Sequence, residues 1–430
     1  MLDAPLKNMR IQAIRGVKDI MPDEIEKWRW VENKANQVFN RYGFNEIRLP
    51  IFEKTKLFSR GIGETTDIVE KEMYSFEDRG GEKVTLRPEG TASVVRAFIE
   101  HKMYTTQTVQ KFYYLGPMFR YERPQAGRFR QFYQIGVEAM GSHNPSIDAE
   151  VMIMLMEFFN VIGLKQFELQ INSLACNKCR PEYRETLKKS ITNHLVDLCE
   201  NCNIRYQKNP LRVLDCKIER DIEIASGFPK ITDYICNECK CHFEKVQSLL
   251  RETQIPYIIN PNLVRGLDYY SHTAFEITSG GLGAQNAVCG GGRYNTLVEE
   301  FGGPPTPCFG FALGLERLIS LIPFNDIKSI EKNPDIFVVS LGEDAKSIVF
   351  NLVHQLRSGG LSVERDYEEG SMKSQMRKAN KSASLFALIV GENEIKSGNY
   401  QLKNMRDGKQ SSITATSCVE KIKTLISSKV

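Results

Sequence analysis

Two stretches of alternating side chains could together bind a nucleotide and a small zwitterion. Residues 113–122 and 132–138 have the alternation of antiparallel strands, which places Arg120 and Glu122 on one face. The returning stretch presents three more groups on one face, with Gly136 leaving room between them: Phe132, Gln134 and Glu138. Guanidinium groups suit phosphate or carboxylate, an aromatic ring suits a base, and carboxylates suit amines. The alternative is a solvated sheet face whose charges pair across strands.

Two shorter blocks carry residues that local structure explains only in part. In Glu89-Gly90-Thr91, the threonine can cap the helix that follows, whereas the carboxylate has no such explanation. Residues 265–270 read Arg-Gly-Leu-Asp-Tyr-Tyr, and a tyrosine pair at the start of a strand is more typical of packing than of binding. The glycine after Arg265 is less usual, because glycine weakens a strand unless something approaches the backbone closely.

Two glycine-rich blocks lie further along the chain. Residues 290–294 read Gly-Gly-Gly-Arg-Tyr, and residues 309–317 predict a strand that runs into a helix with Arg317 on its first turn. The chain contains neither a phosphate loop of the Gly-x4-Gly-Lys-Ser/Thr type nor a dinucleotide fingerprint after a strand. ATP would therefore bind through side chains on an antiparallel sheet.

These blocks need a framework of helices and strands to position them. A first helix is predicted after residue 22, with Asp23 and Glu26 as a capping box, apolar residues at helical spacing and an end at Gly43. A glycine-rich turn is predicted at residues 280–283.

Four segments are predicted from changes in pattern along the chain. The catalytic core comprises residues 1–171 and 258–328. Residues 172–257 between them are helical and polar and hold eight of the 11 cysteines, which marks an insertion. Alternating strand and helix patterns predict a separate α/β domain at residues 335–430.

Composition limits the classes of function. Hydrophobic residues make up 41% and charged residues 26%, which is typical of globular proteins, and the net charge of +4 is too weak to indicate a nucleic-acid binder. No apolar run approaches the length of a membrane span, and residues 1–20 lack the core of a signal peptide. We therefore expect a cytoplasmic protein without a membrane partner, whose cysteines are thiols or metal ligands.

Together the blocks resemble the class II aminoacyl-tRNA synthetases, and within that class the histidyl-tRNA synthetase family. Residues 119–122 (Phe-Arg-Tyr-Glu) are similar to the second class motif, residues 314–317 (Gly-Leu-Glu-Arg) to the third, and the stretch ending at Pro50 to the first, which forms the dimer interface in the class. Residues 263–270 are more specific, since they look like the histidine-binding signature of this branch. Residues 290–294 are similar to its second histidine motif.

The resemblance runs over nearly the whole chain and implies both a fold and an activity. The implied fold is α+β: a class II antiparallel-sheet catalytic domain flanked by helices, a helical insertion and a C-terminal α/β anticodon-binding domain. The implied enzyme is a homodimeric histidine–tRNA ligase. It activates L-histidine with ATP and Mg2+ to histidyl-adenylate, releases pyrophosphate, and transfers histidine to the 3′ end of tRNA(His).

The resemblance also implies the residues of the histidine pocket. These are Glu89, Gly90, Thr91, Arg120, Gln134, Glu138, Arg265, Tyr269, Tyr270 and Tyr294. The α-amino group would contact Glu89, Thr91 and Gln134, and the imidazole would face Glu138 and Tyr270. An imidazole offers one donor and one acceptor, which a carboxylate and a phenol can match. Asp268 receives no role.

The ATP site is implied in the same way. Arg120 and Arg265 would be catalytic, because they would grip the α-phosphate and the substrate carboxylate. In this family the arginine at position 265 does work that a metal ion does in related enzymes. The remaining ATP contacts would be Glu122 with the adenine amino group, Phe132 with the ring, and Arg128 and Arg317 with the γ-phosphate.

The cysteines of the insertion depart from the general family pattern. They include three pairs at Cys-x2-Cys spacing: Cys176 and Cys179, Cys199 and Cys202, and Cys236 and Cys239. The first two pairs are 19 residues apart, which lies in the zinc-ribbon range. We predict one structural Zn2+ bound by four of these six thiols, without deciding which four. The alternative is a set of reduced cysteines on helices.

Two other classes of protein fit parts of this sequence. A regulatory paralogue would bind histidine without catalysis, but such proteins usually lack the anticodon domain and parts of the ATP site. An RNA-binding scaffold would use the α/β domain alone, which leaves residues 265–270 without a purpose. Histidine-dependent ATP–pyrophosphate exchange distinguishes the enzyme from both.

Overall fold

The computed structural model of the chain comprises two compact units, Met1–Ile327 and Lys328–Val430. It describes residues 11–63, 66, 68–105, 109–124, 127–280, 287–324, 333–368 and 370–427. Within these ranges, no helix combines the length and the apolar character needed to cross a membrane. Beyond Gly280, the glycine-rich turn predicted at residues 280–283 lies outside the described residues.

The first unit alternates helices with strands. Its helices are α1 (Pro22–Arg41), α2 (Thr55–Ile62), α3 (Thr91–Glu100), α4 (Pro145–Val161), α5 (Arg180–Thr192), α6 (Glu200–Lys208), α7 (Glu219–Ser226), α8 (Asn237–Glu252), α9 (Leu297–Glu300) and α10 (Leu315–Leu321). Its strands are β1 (Asn45–Glu46), β2 (Phe52–Lys54), β3 (Tyr74–Glu77), β4 (Lys83–Leu86), β5 (Gln110–Phe119), β6 (Gln131–Met140), β7 (Glu168–Ser173), β8 (Ile258–Ile259), β9 (Ser271–Thr278), β10 (Ala287–Arg293) and β11 (Cys308–Gly314).

One large sheet organises this unit. Among the described residues its strand order is β1-β5-β6-β11-β10-β9-β7-β8, and β2, β4 and β3 form a smaller sheet. All neighbours in the large sheet are antiparallel except the two outer pairs, β1 with β5 and β7 with β8. Apolar side chains of α1, α4 and α8 pack into the core beneath it. The α+β fold is thereby confirmed.

The first helix differs from the prediction at its start. Helix α1 begins at Pro22, its N-cap residue Met21 makes no side-chain cap, and the predicted capping box is wrong. Proline suits the first helical position because its fixed φ angle matches the helix and its missing N–H has no partner there. The apolar spacing is confirmed, since Trp28, Val31 and Phe39 are buried.

The insertion is joined to the large sheet at both ends. Strand β7 continues to Ser173, and α8 contributes three buried side chains to the main core: Phe243, Val246 and Leu250. The remaining helices enclose a smaller core of their own that contains several of the cysteines. Residues 172–257 are therefore a segment built onto the core of the first unit and not an independent domain.

The second unit has its own sheet and core. Its elements are β12 (Ile336–Leu341), α11 (Glu343–Ser358), β13 (Val363–Arg365), α12 (Met372–Lys381), β14 (Phe386–Gly391), α13 (Glu392–Ser397), β15 (Asn399–Asn404), β16 (Gln410–Thr414) and α14 (Cys418–Ser427). The strand order is β13-β12-β14-β15-β16, parallel in the first three strands and antiparallel in the last two pairings. This is the α/β domain that the alternating pattern predicts.

Candidate active site

The start of α3 is capped by Glu89 and not by Thr91. The Glu89 carboxylate accepts hydrogen bonds from the backbone N–H groups of Thr91 (2.6 Å) and Ala92 (2.9 Å). Only 3% of Glu89 is exposed, and burial raises its pKa. The carboxylate that local pattern left unexplained is thus held at a helix N-terminus, where an incoming ammonium group would stabilise its ionised form.

The hydroxyl of Thr91 points instead toward a second buried carboxyl, Glu138 on β6. Thr91 donates to Glu138 Oε1 at 2.8 Å, and the phenol of Tyr294 donates to Glu138 Oε2. Burial raises the pKa of Glu138 to about 8, although these two hydrogen bonds act in the opposite direction. Residues from three separate blocks of the sequence therefore meet at one carboxyl.

Glycines clear the sheet surface beside Glu138. In the register of the sheet, Gly310 on β11 lies opposite Glu138, and Gly292 on β10 lies opposite Gly310. A Cβ atom at Gly310 would be 2.0 Å from Glu138 Oε2, so any other residue would displace the carboxyl. The floor of the pocket is open because these positions lack side chains.

An aromatic wall closes one side of the pocket. The ring of Tyr269 lies 4.7 Å from that of Tyr270 and 5.6 Å from that of Tyr294.

Tyr114 on β5, which the sequence did not indicate, fills the room that Gly136 was expected to leave for other groups. A Cβ at Gly136 would be 2.1 Å from its ring, and one at Gly90 would be 2.3 Å away. The two glycines in the motifs are the signal that could have identified Tyr114.

Arg265 lies over the centre of the same sheet face. Its Nη1 is 2.7 Å from Glu276 Oε2 on β9, and a Cβ at Gly290 would be 1.9 Å from its Nη2. Glu276 and Gly290 are paired across β9 and β10. Strand β9 begins at Ser271, directly after the tyrosine pair, so the pair precedes the strand instead of starting it. The group that approaches the backbone of Gly266, the glycine after Arg265, is Arg212, whose Nη2 donates to the Gly266 carbonyl at 2.6 Å.

The predicted nucleotide residues line an adjoining cavity. Strand β5 ends at Phe119, earlier than predicted, because the backbone of Tyr121 turns away to bond Glu72. Arg120 nevertheless stays at the sheet edge, where its Nε donates to the Pro88 carbonyl at 2.8 Å. A cavity of about 190 Å³ lies there, lined among others by Arg120, Glu122, Arg128, Phe132, Gln134 and Arg317.

Charged side chains inside this cavity pair with one another. Arg128 Nη1 lies 3.1 Å from Glu122 Oε2, and Arg120 Nη1 lies 3.8 Å from Glu122 Oε1. The Arg120 guanidinium carbon is 5.2 Å from the centre of the Phe132 ring. Arg317 on α10 donates to the Ala287 carbonyl at 2.9 Å. The Glu122 carboxylate therefore pairs with Arg120 and Arg128, two of the arginines predicted to bind phosphate groups.

Several buried polar atoms in this region have no hydrogen-bond partner among the described residues. They include the Tyr114 hydroxyl, Gln134 Oε1 and Arg265 Nε. A buried polar group without a partner costs about 1–3 kcal/mol, so native proteins rarely retain one without a reason. Their concentration around one pocket indicates that a polar ligand supplies the missing bonds.

The insertion cysteines form two separate groups. Cys176, Cys179, Cys236 and Cys239 make the first, and Cys199, Cys202, Cys216 and Asp221 make the second. The ligand atoms within each group lie within 4.8 Å of one another. The first pair of cysteines therefore joins the third pair, a choice that the sequence left open. Cys216 and Asp221 take part although the prediction used only paired thiols.

Comparisons with known proteins agree over both units. The family model described as histidyl-tRNA synthetase matches residues 16–318, and the one described as anticodon binding domain matches residues 335–425. The histidine–tRNA ligase of Halothermothrix orenii is 50% identical over 97% of this chain and 100% of its own length. The histidine–tRNA ligase of Trichlorobacter lovleyi is 51% identical over 94% of this chain and 95% of its own length. The apo structure of the Staphylococcus aureus histidyl-tRNA synthetase has a TM-score of 0.82 at 40% identity, covering 96% of this chain and all of its own.

Proposed function

Because the chain belongs to the histidyl-tRNA synthetase family and charges tRNA with histidine using ATP, we propose that the pocket and the cavity described above bind these two substrates. The observation that carries the assignment is the group of buried, unpartnered polar atoms around Arg265, Tyr114 and Gln134. They surround a surface cleared by glycines, where a polar ligand would complete the hydrogen bonding.

Histidine binds with its two ends on different groups of side chains. Its α-ammonium contacts Glu89, Thr91 and Gln134, where the buried Glu89 carboxylate gains a cation. Its imidazole lies between Glu138 and the Tyr270 phenol, one accepting and one donating. The wall of tyrosines excludes water from this end and strengthens both contacts.

Activation joins the histidine carboxylate to the α-phosphate. A carboxylate oxygen attacks the α-phosphorus, the bond from that phosphorus to the bridging oxygen breaks, and pyrophosphate leaves with the electron pair. Arg120 and Arg265 stabilise the negative charge that develops on the phosphate oxygens. Mg2+, which synthetases of this class use, neutralises the leaving pyrophosphate when bound, and its ligands would be mainly phosphate oxygens beside Arg128 and Arg317.

ATP must open the ion pairs that lie within the cavity. Glu122 contacts the adenine amino group only after it releases Arg128, and Arg128 then becomes available for the γ-phosphate. The two side chains are 3.1 Å apart and 38% and 15% exposed, so the pair is only partly screened by solvent and the new contacts with ATP must offset its loss. The Phe132 ring contacts Arg120 in the structure. When ATP binds, this ring stacks on the adenine instead.

The assignment is tested by ATP–pyrophosphate exchange. Exchange is expected when histidine and ATP are both present. When an analogue that lacks the imidazole replaces histidine, the exchange rate is expected to fall below about a hundredth of that value. Exchange that is equally fast with such an analogue would show that Glu138 and Tyr270 do not read the imidazole. The aminoacylation of tRNA(His) by the same sample controls for an active enzyme.

We further propose a homodimer in the cytoplasm, with the second unit on the tRNA anticodon. The stretch ending at Pro50 is fixed by Arg87, whose Nη1 donates to the carbonyls of Leu49 (2.9 Å) and Pro50 (3.3 Å). Beside it, Phe52 and Phe76 lie on one face of the small sheet and are 59% and 50% exposed. An exposed apolar face next to the first class motif supports a second copy of the chain as its partner.

The dimer can be tested with paired substitutions on this face. The Phe52→Asp, Phe76→Asp double variant is expected to have half the molar mass of the unmodified protein in light scattering, because it buries carboxylates at the interface. Phe350→Asp, on α11 of the second unit and 63% exposed, serves as the control and is expected to remain dimeric. A monomeric unmodified protein at the same concentration would contradict the proposal.

For the zinc ion predicted from the sequence, we propose Cys176, Cys179, Cys236 and Cys239. The distances Cys176–Cys179, Cys179–Cys239 and Cys176–Cys236 are 3.5, 3.8 and 3.9 Å between sulfur atoms. A tetrahedron with Zn–S bonds of about 2.3 Å requires sulfur atoms about 3.8 Å apart. Cys239→Ser is expected to lower the zinc content by one ion per chain in elemental analysis. An unchanged zinc content in this variant would rule the site out.

A further inference from the structure

The second cysteine group has the geometry of a metal site in its own right. Cys199 caps the start of α6 and Cys202 lies on its first turn, Cys216 follows the short helix Pro210–Asp215, and Asp221 lies on α7. The sulfur atoms of Cys199 and Cys216 are 4.0 Å apart, and Cys216 Sγ is 3.2 Å from Asp221 Oδ2. Tetrahedral zinc with three sulfur ligands and one oxygen requires about 3.8 and 3.6 Å. A disulfide, with its S–S bond of about 2.0 Å, does not fit.

Hydrogen bonds already orient these ligands. The Cys202 backbone N–H donates to Cys199 Sγ at 3.4 Å, and the Cys199 backbone N–H donates to both oxygens of Asp221, at 3.3 and 3.2 Å. Donors of this kind stabilise thiolates and carboxylates and fix their direction, as the outer shell of a metal site does. The four side chains therefore need little rearrangement to bind an ion.

Asp221 is the member that most needs a cation. Only 1% of it is exposed, and no Lys, Arg or His of the described residues forms an ion pair with it. A buried carboxylate without a charged partner is costly, whereas binding to a metal ion satisfies it. The small core that encloses the group adds a second reason, because small cores often depend on metals for stability.

The chain between these ligands contacts the histidine signature. Asn209 Nδ2 donates to Asp268 Oδ1 at 3.1 Å, and Arg212 Nη2 donates to the Gly266 carbonyl at 2.6 Å. Both residues lie between Cys202 and Cys216, so the second group fixes the ends of the segment that carries them. Residues 209–212 thus support the turn between Arg265 and Tyr270 from the insertion side.

The first group supports the other end of the same turn. Arg180 follows Cys179 directly, and its Nη2 donates to the Tyr270 carbonyl at 2.6 Å. Its Nε donates to the Leu174 carbonyl at 2.9 Å. The two cysteine groups therefore act on the two ends of one loop, through separate arginines.

From these contacts we infer that Cys199, Cys202, Cys216 and Asp221 bind a second Zn2+, which fixes residues 209–212 against the signature loop and so positions Arg265 for histidine. The insertion then holds two metal ions per chain. The metal site stands on the ligand geometry alone, whereas its effect on histidine rests on the function proposed for Arg265 and Tyr270. Asp268 gains a role as the partner of Asn209.

Metal content tests the site without reference to activity. Untagged protein after gel filtration is expected to hold two zinc ions per chain by elemental analysis. Cys216→Ser and Asp221→Asn are each expected to hold one, and Cys241→Ser, an exposed cysteine outside both groups, two. Asparagine keeps the shape and the acceptor oxygen of Asp221, so this variant serves if Cys216→Ser fails to fold. One zinc ion or none in the unmodified protein would overturn the proposal, as would two in both ligand variants.

Exchange kinetics test the link to the signature loop. Arg212→Ala is expected to keep two zinc ions and to raise the KM for histidine about fivefold, with the KM for ATP unchanged, because one hydrogen bond of about 1 kcal/mol is lost. Asp221→Asn is expected to raise the histidine KM at least as much. An unchanged histidine KM in both variants would remove the link and leave the metal site intact. Failure of the unmodified protein to exchange would instead count against the proposed function.

Discussion

Replacing Arg265 by alanine is expected to lower histidine-dependent ATP–pyrophosphate exchange by about 10³-fold, or about 4 kcal/mol in activation free energy. Loss of one positioned donor to a developing oxyanion typically costs 10²- to 10³-fold. Arg265 would contact both reacting groups, the carboxylate and the α-phosphate. It is held in place by Glu276 and by the close approach to Gly290. A solvent molecule in the vacated space would supply neither the charge nor the fixed direction.

The loss should appear in kcat more than in the KM for either substrate. Both substrates keep their other contacts, since histidine retains Glu89 and Glu138 and ATP retains Arg317. The contact that disappears is one that strengthens as charge moves onto the phosphate, and such contacts lower the barrier selectively. Arg265→Lys should recover only part of the rate, because an ammonium group cannot reproduce the two-pronged geometry of guanidinium.

Two further variants separate catalysis from folding. Arg41→Ala also removes an arginine from a pair with a glutamate, Glu157 at 2.9 Å, but at the end of α1. It is expected to leave exchange unchanged. Glu276→Gln keeps Arg265 and removes its partner, so a loss well below that of Arg265→Ala is expected. Normal exchange in Arg265→Ala, with an unchanged thermal transition, would show that Arg265 is not catalytic.

Much of the pocket follows from local patterns. Alternation in strands placed Gln134 and Glu138 on one face of β6, and the observed register keeps them there. The strand-to-helix step at Gly314 is also as predicted, with Arg317 on the first turn of α10. These features depend on neighbours a few residues apart, which a single sequence displays directly.

Features that depend on distant partners do not follow from local patterns. Tyr114 lies in the pocket because Gly90 and Gly136, each more than 20 residues away, leave space for its ring. The first cysteine group unites residues 60 positions apart, and spacing alone does not decide which pairs combine. The cap of α3 was assigned to Thr91, because its hydroxyl is a common cap, whereas a competing long-range bond to Glu138 draws that hydroxyl away. Tertiary contacts decided each of these cases.

Glu138, the proposed contact of the imidazole, also affects the stability of the substrate-free protein. Its pKa in the folded state, about 8, lies above the usual value of 4.5 because the carboxyl is buried. Below pH 4.5 the proton is bound in both the folded and the unfolded chain. Between pH 4.5 and 8 the folded chain keeps a proton that the unfolded chain has lost, so stability falls as the pH rises. The buried carboxyl therefore lowers the stability of the substrate-free protein at neutral pH. Such a cost is expected of a group that is retained for binding.

Glu138→Gln should separate these two properties. Glutamine has nearly the same shape and stays neutral, so without histidine its unfolding temperature should exceed that of the unmodified protein by at least about 2 °C at pH 8 and by less at pH 5. The same variant should lose about 10²- to 10³-fold in kcat/KM for histidine, because the amide cannot become the anion that pairs with the imidazole N–H. Glu244→Gln, an exposed carboxyl of α8, is the control and should show neither effect. Full activity in Glu138→Gln would mean that a neutral group suffices at this position. A stability difference between the two proteins that does not grow with pH would mean that the Glu138 carboxyl is already ionised when no histidine is bound.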